Sequence, residues 1–321
     1  MNILIVMAPF KKPIIQYHWV IGATGFVGKH LVHELLERYQ NDPLVQIVAV
    51  GHHRIEPIVM EKTHFLMMPL DKIEKRWFIR FPPTHLYHCA RMAGGNDFFR
   101  SIASVRGFRA NTRLKKILED LPSPPIVIYC SGTLMYGNNK EAVDESAPIR
   151  PISYARKYER AERPWHKKSK KMDIRMAFPA WIFGGDSWFM SFYIKPSQLR
   201  KKVPIYGLGD QQMSLIHVQD VAGQLIHVAE QGIKSNHYNI YGSELITQEN
   251  FAKTLADKID IETEVLSSDK IKIKYGKTVH EALTSSMPVK TQHINWRASY
   301  KFKFSHLQKM VAEVISKVYH D

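Results

Sequence analysis

The sequence is poor in cysteine and contains no long apolar run. Its 321 residues include only two cysteines, Cys89 and Cys130, and both stand in short, strand-like apolar runs. This scarcity excludes a disulfide-rich secreted scaffold and favours two buried free thiols in a reducing compartment. No apolar run approaches the length that crosses a bilayer, and residues 2–10 lack the features of a signal peptide. We therefore expect a cytoplasmic protein with no membrane partner.

Acidic residues are also few, because 30 Asp and Glu face 45 Lys and Arg, which gives a formal net charge of +15. Such an excess can indicate a nucleic acid, an anionic membrane surface or an acidic ligand. The densest cluster, residues 167–171, follows a predicted helix, where cations complement the helix dipole. No aromatic–basic motif accompanies it, so we expect a small-molecule substrate rather than a nucleic acid. The sequence leaves a homodimer open.

Three glycines, Gly22, Gly25 and Gly28, form a G-x-x-G-x-x-G turn after an apolar strand and before an amphipathic helix predicted at 27–39. Glycine lets backbone amides approach a pyrophosphate, and the helix N-terminus favours the anion. The turn therefore predicts a dinucleotide site, whereas a simple glycine-rich turn is the minor alternative. The predicted cofactor-binding residues are Gly22, Thr24, Gly25, Phe26, Val27, Gly28, Arg54, Asp71, Cys89 and Ala90.

The end of the second predicted strand, at 45–51, bears on the choice of cofactor. An acidic residue there would bind the ribose 2′-hydroxyl of NAD, but this chain continues with His52, His53 and Arg54. Arginine suits a 2′-phosphate, so NADP is favoured over NAD, and a plain surface role for Arg54 stays open. Asp71 could accept a hydrogen bond from the adenine amine. His52, His53, His85 and His88 do not form a recognisable metal site.

Strands and helices alternate along the first half of the chain, which predicts a Rossmann-type α/β fold, a doubly wound parallel sheet. The predicted strands lie at 45–51, 86–90, 126–130 and 173–178, with a helix at 99–121. Beyond about residue 180 the pattern changes to a mixed α+β substrate lobe, with helices at 219–231 and 247–259. Residues 270–277 alternate Lys with Ile and Tyr, which is typical of a strand with one wet face. We expect an N-terminal extension of unclear status (1–16), a dinucleotide-binding domain (17–180) and a substrate lobe (181–321), some of whose strands and helices return to the core.

From His18 to its C-terminus the chain resembles the extended short-chain dehydrogenase/reductase superfamily, the NAD-dependent epimerase/dehydratase group. The resemblance is carried by 22–28, 88–90, 131–137, 144–148, Tyr154 with its helix, and 216–222. Segments 111–114, 124–128 and 281–286 are similar to a branch labelled only "epimerase family protein". The resemblance implies a nicotinamide cofactor and an oxidoreductase or epimerase reaction.

The catalytic element of that superfamily is altered here. A tyrosine usually acts as general acid/base, a lysine four residues later lowers its pKa and holds the nicotinamide ribose, and a serine or threonine orients the substrate. Tyr154 matches the tyrosine, but Tyr158 stands where the lysine belongs and Gly132 where the serine belongs. Lys157 shares a helix face with Tyr154 and could substitute in part. The candidate catalytic residues are Tyr154, Lys157, Thr133 and Ser131.

Two functions remain open. The first is an NAD(P)-dependent epimerase/dehydratase-like protein that acts on a small carbonyl or sugar-like substrate at an atypical site. The second is a catalytically inactive dinucleotide-binding or redox-sensing protein, which would keep the glycine turn without the chemistry.

Overall fold

The computed structural model describes residues 14–53, 55–92, 94 and 97–319. Most of the predicted N-terminal extension and Arg54 therefore lie outside the described residues. Within these ranges the strands are β1 (Gln16–Ile21), β2 (Val45–Gly51), β3 (His64–Met67), β4 (Pro83–His88), β5 (Ile126–Cys130), β6 (Asp173–Pro179), β7 (Trp181–Phe183), β8 (Lys202–Tyr206), β9 (Gln212–His217), β10 (His237–Ile240), β11 (Leu245–Thr247) and β12 (Glu262–Leu266).

The helices of the described ranges connect and cover these strands. They are α1 (Phe26–Arg38), α2 (Pro57–Lys62), α3 (Lys75–Arg80), α4 (Asp97–Glu119), α5 (Ser153–His166), α6 (Lys195–Arg200), α7 (Val218–Gln231), α8 (Gln248–Ile259), α9 (Ser268–Tyr275), α10 (Lys277–Thr284), α11 (Ile294–Ala298) and α12 (Leu307–Tyr319). Short 3-10 helices lie at Leu70–Lys72 and Thr133–Tyr136, and a π-helix at Met190–Ile194.

The central sheet has seven parallel strands in the order β10-β6-β5-β4-β1-β2-β3. Its inner strands are apolar on both faces because helices cover both: α4 packs along α5, and α1 packs along α7. The strand order reverses between β1 and β4. In such sheets, ligands bind beyond the carboxyl ends of the strands at this reversal. The predicted Rossmann-type fold is thus confirmed.

A second apolar core is formed by residues between Phe183 and Ile315. Phe183, Phe189, Tyr193 and Phe251 form its aromatic centre, and residues of α8 and α12 pack around them. Two small sheets, β11-β9-β7 and β12-β8, belong to this part of the chain. Residues of α7 and β10 return to the first core. The division of the chain near residue 180 stays a prediction.

The strand predicted at 270–277 is wrong, because this segment forms α9 and then turns at Gly276, whose φ is +81°. Ser267 caps the helix by accepting a hydrogen bond from the backbone N–H of Lys270. Ile271 is fully buried, whereas Ile273 is 86% exposed. The alternating isoleucines therefore do not share one face, which is the geometry of a helix and not of a strand.

Candidate functional site

The glycine turn joins β1 to α1 at the strand-order reversal. Gly22 has φ +91°, and a Cβ there would lie 2.7 Å from the backbone N of Ala90, which follows β4. A Cβ at Gly28 would lie 2.0 Å from the carbonyl oxygen of Gly22. Only glycine at position 22 lets the glycine turn approach the chain after β4 so closely. Only glycine at position 28 lets the first turn of α1 approach the glycine turn so closely. The helix begins at Phe26 behind this turn, so its first N–H groups are open to an anion.

A cavity of about 710 Å³ lies over the carboxyl ends of β1, β2, β4 and β5. His52 and Asp71 line it on the β2–β3 side of the glycine turn, and Ser131 and Glu162 line it on the β5 side. All predicted cofactor-binding residues line this cavity except Gly28 and Arg54. Gly28 lies against Gly22 behind the turn, and Arg54 lies outside the described residues.

Two buried polar atoms near this cavity have no partner in the described part of the chain: Thr24 Oγ1 and Asp71 Oδ1. Burying a polar atom without a hydrogen bond is costly, so such atoms favour a polar ligand. The second oxygen of Asp71 accepts a 2.8 Å hydrogen bond from Arg106, which holds the pKa of this carboxyl below its ordinary value. Asp71 is therefore an anionic acceptor, and the close glycine cradle and these two atoms together fit a dinucleotide.

The two cysteines are free thiols that line the same cavity at the ends of β4 and β5. Contact with Cys130, together with burial, raises the pKa of the Cys89 thiol well above its ordinary value. Cys89 is therefore neutral near pH 7, and it forms an uncharged part of the cavity surface.

A second cavity, of about 420 Å³, adjoins the first, and Phe26, Arg91, Ser131 and Ile182 line both. Thr133 and Tyr154 line it, together with the mainly apolar residues Trp181, Trp188, Phe192, Val279, Ala282 and Leu283. Asp186, which also lines it, forms an ion pair with Lys29 of α1. This space suits a small substrate beside a ligand held by the glycine turn.

The catalytic candidates are only partly brought together. Tyr154 and Thr133 line the second cavity, and Ser131 lines both cavities. Lys157, by contrast, is not among the described residues that line either one, whereas Tyr158 lines the first at the position of the usual lysine. Burial raises the pKa of Tyr158, so this phenol stays protonated near neutrality. No lysine lines either cavity among the residues of the ranges above.

Sequence reasoning missed Arg91 and Glu162. The Arg91 guanidinium stands 4.4 Å from the ring centroid of Tyr158 and lines both cavities. Glu162 is 3% exposed, and the Ser131 hydroxyl donates to its carboxylate at 2.8 Å. A signal for Glu162 was present, because it follows Tyr154 by eight residues and so shares its helix face.

No group of three or more His, Cys, Asp or Glu side chains that could hold a metal ion occurs in the part of the chain that the structure describes. Among the same residues, no helix is both long and apolar enough to cross a membrane.

A doubly wound parallel sheet with a glycine turn and an open cavity at the strand-order reversal defines an α/β nucleotide-binding protein. The particular family follows from a direct comparison. The family model described as "NAD dependent epimerase/dehydratase family" matches residues 19–240. The chain belongs to this family, which confirms the resemblance seen in its sequence.

Solved structures show how widely this fold is shared. A UDP-glucuronic acid 4-epimerase from Bacillus cereus, in complex with UDP-glucuronic acid and NAD, has a TM-score of 0.76 at 17% identity and covers 95% of this chain and 99% of its own. The dTDP-glucose 4,6-dehydratase (rfbB) of Bacillus anthracis str. Ames, in complex with NAD, has a TM-score of 0.74 at 14% identity, and the match covers 95% of this chain and 97% of the dehydratase. Human epimerase family protein SDR39U1 (isoform 2), with NADPH, has a TM-score of 0.74 at 18% identity, and the match covers 93% of this chain and 99% of the human chain. These identities establish the fold alone. No curated protein matches the sequence.

Proposed function

We propose that this protein binds a nicotinamide dinucleotide in the larger cavity, with the pyrophosphate at the N-terminus of α1. The observation that carries the proposal is one continuous space of about 710 Å³ across the glycine turn. The open N–H groups of the first turn of α1 supply hydrogen-bond donors to the pyrophosphate, and the helix dipole favours its charge.

The orientation of the cofactor follows from the sheet order. The adenosine half lies over β2 and β3, beside His52 and the unpartnered oxygen of Asp71. The nicotinamide half lies over β4 and β5, between the thiols and Ser131. We favour NADP over NAD because β2 ends at Gly51 and His52 follows, which provides no carboxylate for a 2′-hydroxyl. Replacement of Arg54 by Ala should weaken binding of NADPH more than that of NADH.

The reaction that the site supports best is hydride exchange with a small alcohol, carbonyl or sugar-like substrate in the second cavity. A nicotinamide ring bound between the thiols and Ser131 would supply the hydride or accept it. We assign the orientation of a substrate oxygen to Thr133, and the holding or moving of its proton to Tyr154, because both residues line this cavity. Burial of the substrate against Trp181 and Trp188 excludes water from this proton.

One observation favours a second candidate, a dinucleotide-binding protein without turnover: Tyr158 replaces the cation that usually activates the tyrosine. The two candidates differ in the effect of Tyr154→Phe. If the protein is an enzyme, NADPH oxidation with a panel of small aldehydes, ketones and sugar nucleotides should fall roughly 10²–10⁴-fold in this variant, with an unchanged Kd for NADPH. Absence of hydride transfer in the wild type with the whole panel would favour the second candidate.

Gly25 offers a sharp test of the binding proposal. It is the N-cap of α1, with φ −85°, and no side chain caps this helix. Aspartate and asparagine are both good N-caps, and they differ mainly in charge. Gly25→Asp should place a carboxylate at the pyrophosphate position and weaken NADPH binding at least roughly 100-fold, whereas the matched control Gly25→Asn should lose much less.

The measurement is isothermal titration calorimetry with NADPH and NADH, accompanied by thermal melting of each variant. Both variants should melt at similar temperatures, because a Cβ at this position meets only the Gly22 carbonyl oxygen, at 3.2 Å. Equal affinities in the two variants would refute pyrophosphate binding at this turn.

A further inference from the structure

Glu162 is a buried carboxylate on the β5 side of the larger cavity. It lies on α5 one helical turn after Tyr158, and both residues line the cavity. Only 3% of the surface of Glu162 is exposed to solvent. Carboxylates are rarely so buried without a role or a partner, and this one faces the half of the cavity that we assign to the nicotinamide.

The hydrogen bonds of Glu162 fix the polarity of this end of the cavity. Ser131 Oγ lies 2.8 and 3.0 Å from the two carboxylate oxygens, and His166 Nε2 lies 2.9 Å from one of them. An ionised carboxylate only accepts hydrogen bonds, so both Ser131 and His166 donate. The Ser131 proton is thereby committed, and its oxygen can only accept a hydrogen bond from a ligand.

The neutral neighbours of Glu162 do not offset its charge. Asn111 donates from Nδ2 to the carbonyl oxygen of Ala161 and bonds His88 through Oδ1. Burial lowers the pKa of His88 to about 4, so this imidazole is neutral near pH 7. Asn111, which lines the cavity, and the buried His88 that bonds it are thus uncharged.

One permanently cationic side chain, Arg91, lies nearby, and His166, which is charged only when protonated, contacts Glu162. Arg91 is exposed and stacks on Tyr158, so water screens its charge, whereas a buried charge is screened much less. His166 pairs with Glu162 but is not among the described residues that line the cavity. The cavity end beside β5 therefore contains the buried carboxylate of Glu162, and the Arg91 guanidinium and the Tyr158 hydroxyl, which are hydrogen-bond donors, line the cavity as well.

We propose that Glu162 determines which redox form of the nicotinamide cofactor this protein holds: its carboxylate favours the positively charged oxidised ring over the neutral reduced ring. The inference rests on the proposed binding of a dinucleotide. Ser131 and Glu162 together accept hydrogen bonds from the donors of that half of the cofactor, its ribose hydroxyls and carboxamide N–H groups. The usual lysine would place a cation at position 158, where this chain has a neutral phenol one helical turn from the buried carboxylate of Glu162.

The test compares affinities for the oxidised and reduced forms of whichever pair, NADP⁺/NADPH or NAD⁺/NADH, binds more tightly. The wild type should bind the oxidised form at least as tightly as the reduced form, at pH 8, where histidine imidazoles are usually neutral. In Glu162→Gln the ratio of the two Kd values should shift roughly tenfold towards the reduced form. A purely structural role for Glu162 would change both Kd values together and leave their ratio constant.

Glu159→Gln is the matched control, because it removes the same charge from the same helix. Glu159 pairs with Arg163 and lines neither cavity in the described structure, so the ratio should stay within about twofold of the wild type. A shift of less than about twofold in Glu162→Gln would overturn the inference. If that variant does not fold, the wild-type ratio decides: tighter binding of the reduced form overturns it.

ADP-ribose and its 2′-phosphate separate this inference from the proposal beneath it. They lack the nicotinamide ring, so their Kd should respond much less to Glu162→Gln than that of the oxidised dinucleotide. Failure of the wild type to bind any dinucleotide or ADP-ribose would refute the proposed function itself. Binding of all of them with an unshifted ratio would refute only the role of Glu162.

Discussion

At the scale of single residues, the proposed site departs from the catalytic pattern that the resemblance implies. Tyr158 stands where the family pattern has a lysine, Gly132 stands where it has a serine, and the neighbouring Ser131 donates a hydrogen bond to Glu162. A serine hydroxyl has one proton, so a serine that already donates a hydrogen bond cannot donate another to a substrate carbonyl. Thr133 is then the hydroxyl of this segment that remains to orient a substrate in the second cavity.

Labelling of the two thiols can detect a ligand in the cavity even when the substrate is not known. Cys89 has a raised pKa, and alkylation requires the thiolate, so labelling of Cys89 by iodoacetamide should be slow at pH 7.5 and should accelerate as the pH rises above 9. Because both cysteines line the cavity, saturating NADPH should slow their labelling several-fold, as measured by mass spectrometry of the peptides. Labelling at both cysteines that is indifferent to NADPH would place the cofactor elsewhere.

At the scale of elements, we expect the joint between β1 and α1 to be sensitive to substitution. Alanine normally stabilises a helix by about 1 kcal/mol relative to glycine. At Gly28 the added Cβ would lie 2.0 Å from the Gly22 carbonyl oxygen, so we expect Gly28→Ala to lower the free energy of unfolding by about 3 kcal/mol. The measurement is denaturation in urea.

Gly185→Ala is the matched control for Gly28→Ala, because a Cβ at Gly185 would meet nothing within 4 Å. Its unfolding free energy should stay within about 0.5 kcal/mol of the wild type. A Gly28→Ala variant as stable as this control would show that the turn can open at little cost.

Much of the element order could be predicted because apolar periodicity is a local property. The strands β2 and β5 have the predicted bounds, helix α1 lies one residue earlier than predicted at both ends, and helix α7 begins one residue earlier. The prediction for the α9 segment failed because a short alternation of Lys and Ile fits both the strand period and the helix period. Only tertiary burial decides between these two periods.

The site was less predictable than the elements for a related reason. The glycine turn could be predicted because its three glycines lie within seven residues of sequence. The pairing of Ser131 with Glu162 joins residues 31 positions apart, and it depends on how α5 lies against β5. The same dependence explains Lys157, which shares a helix face with Tyr154 but is not among the described residues that line either cavity.

For the whole molecule, buried histidines set the response to acid. Burial, with a smaller contribution from His85, lowers the pKa of His18 to about 3, and burial lowers that of His88 to about 4, from 6.5. The unfolded chain then binds protons first as the pH falls, so stability is complete above about pH 6.5 and is lost towards pH 4 and 3. At pH 5 each of these histidines should cost about 2 kcal/mol.

Urea denaturation at pH 7.5 and pH 5 checks this expectation. His18→Leu should reduce the loss of stability between these two pH values, because His18 is buried with both ring nitrogens unpartnered among the described residues. His53→Leu is the control, since His53 is exposed and should leave the loss unchanged. Equal losses in both variants would mean that other groups govern acid unfolding.

The most direct measurement is a crystal structure of the chain with NADP⁺ bound. We expect the pyrophosphate over the N-terminus of α1, hydrogen-bonded to backbone N–H groups of the glycine turn, and the nicotinamide half beside Ser131 and Glu162. Saturating NADP⁺ without density in this cavity, or a dinucleotide bound elsewhere on the molecule, would contradict the assignment of the cavity across Gly22 and Gly25.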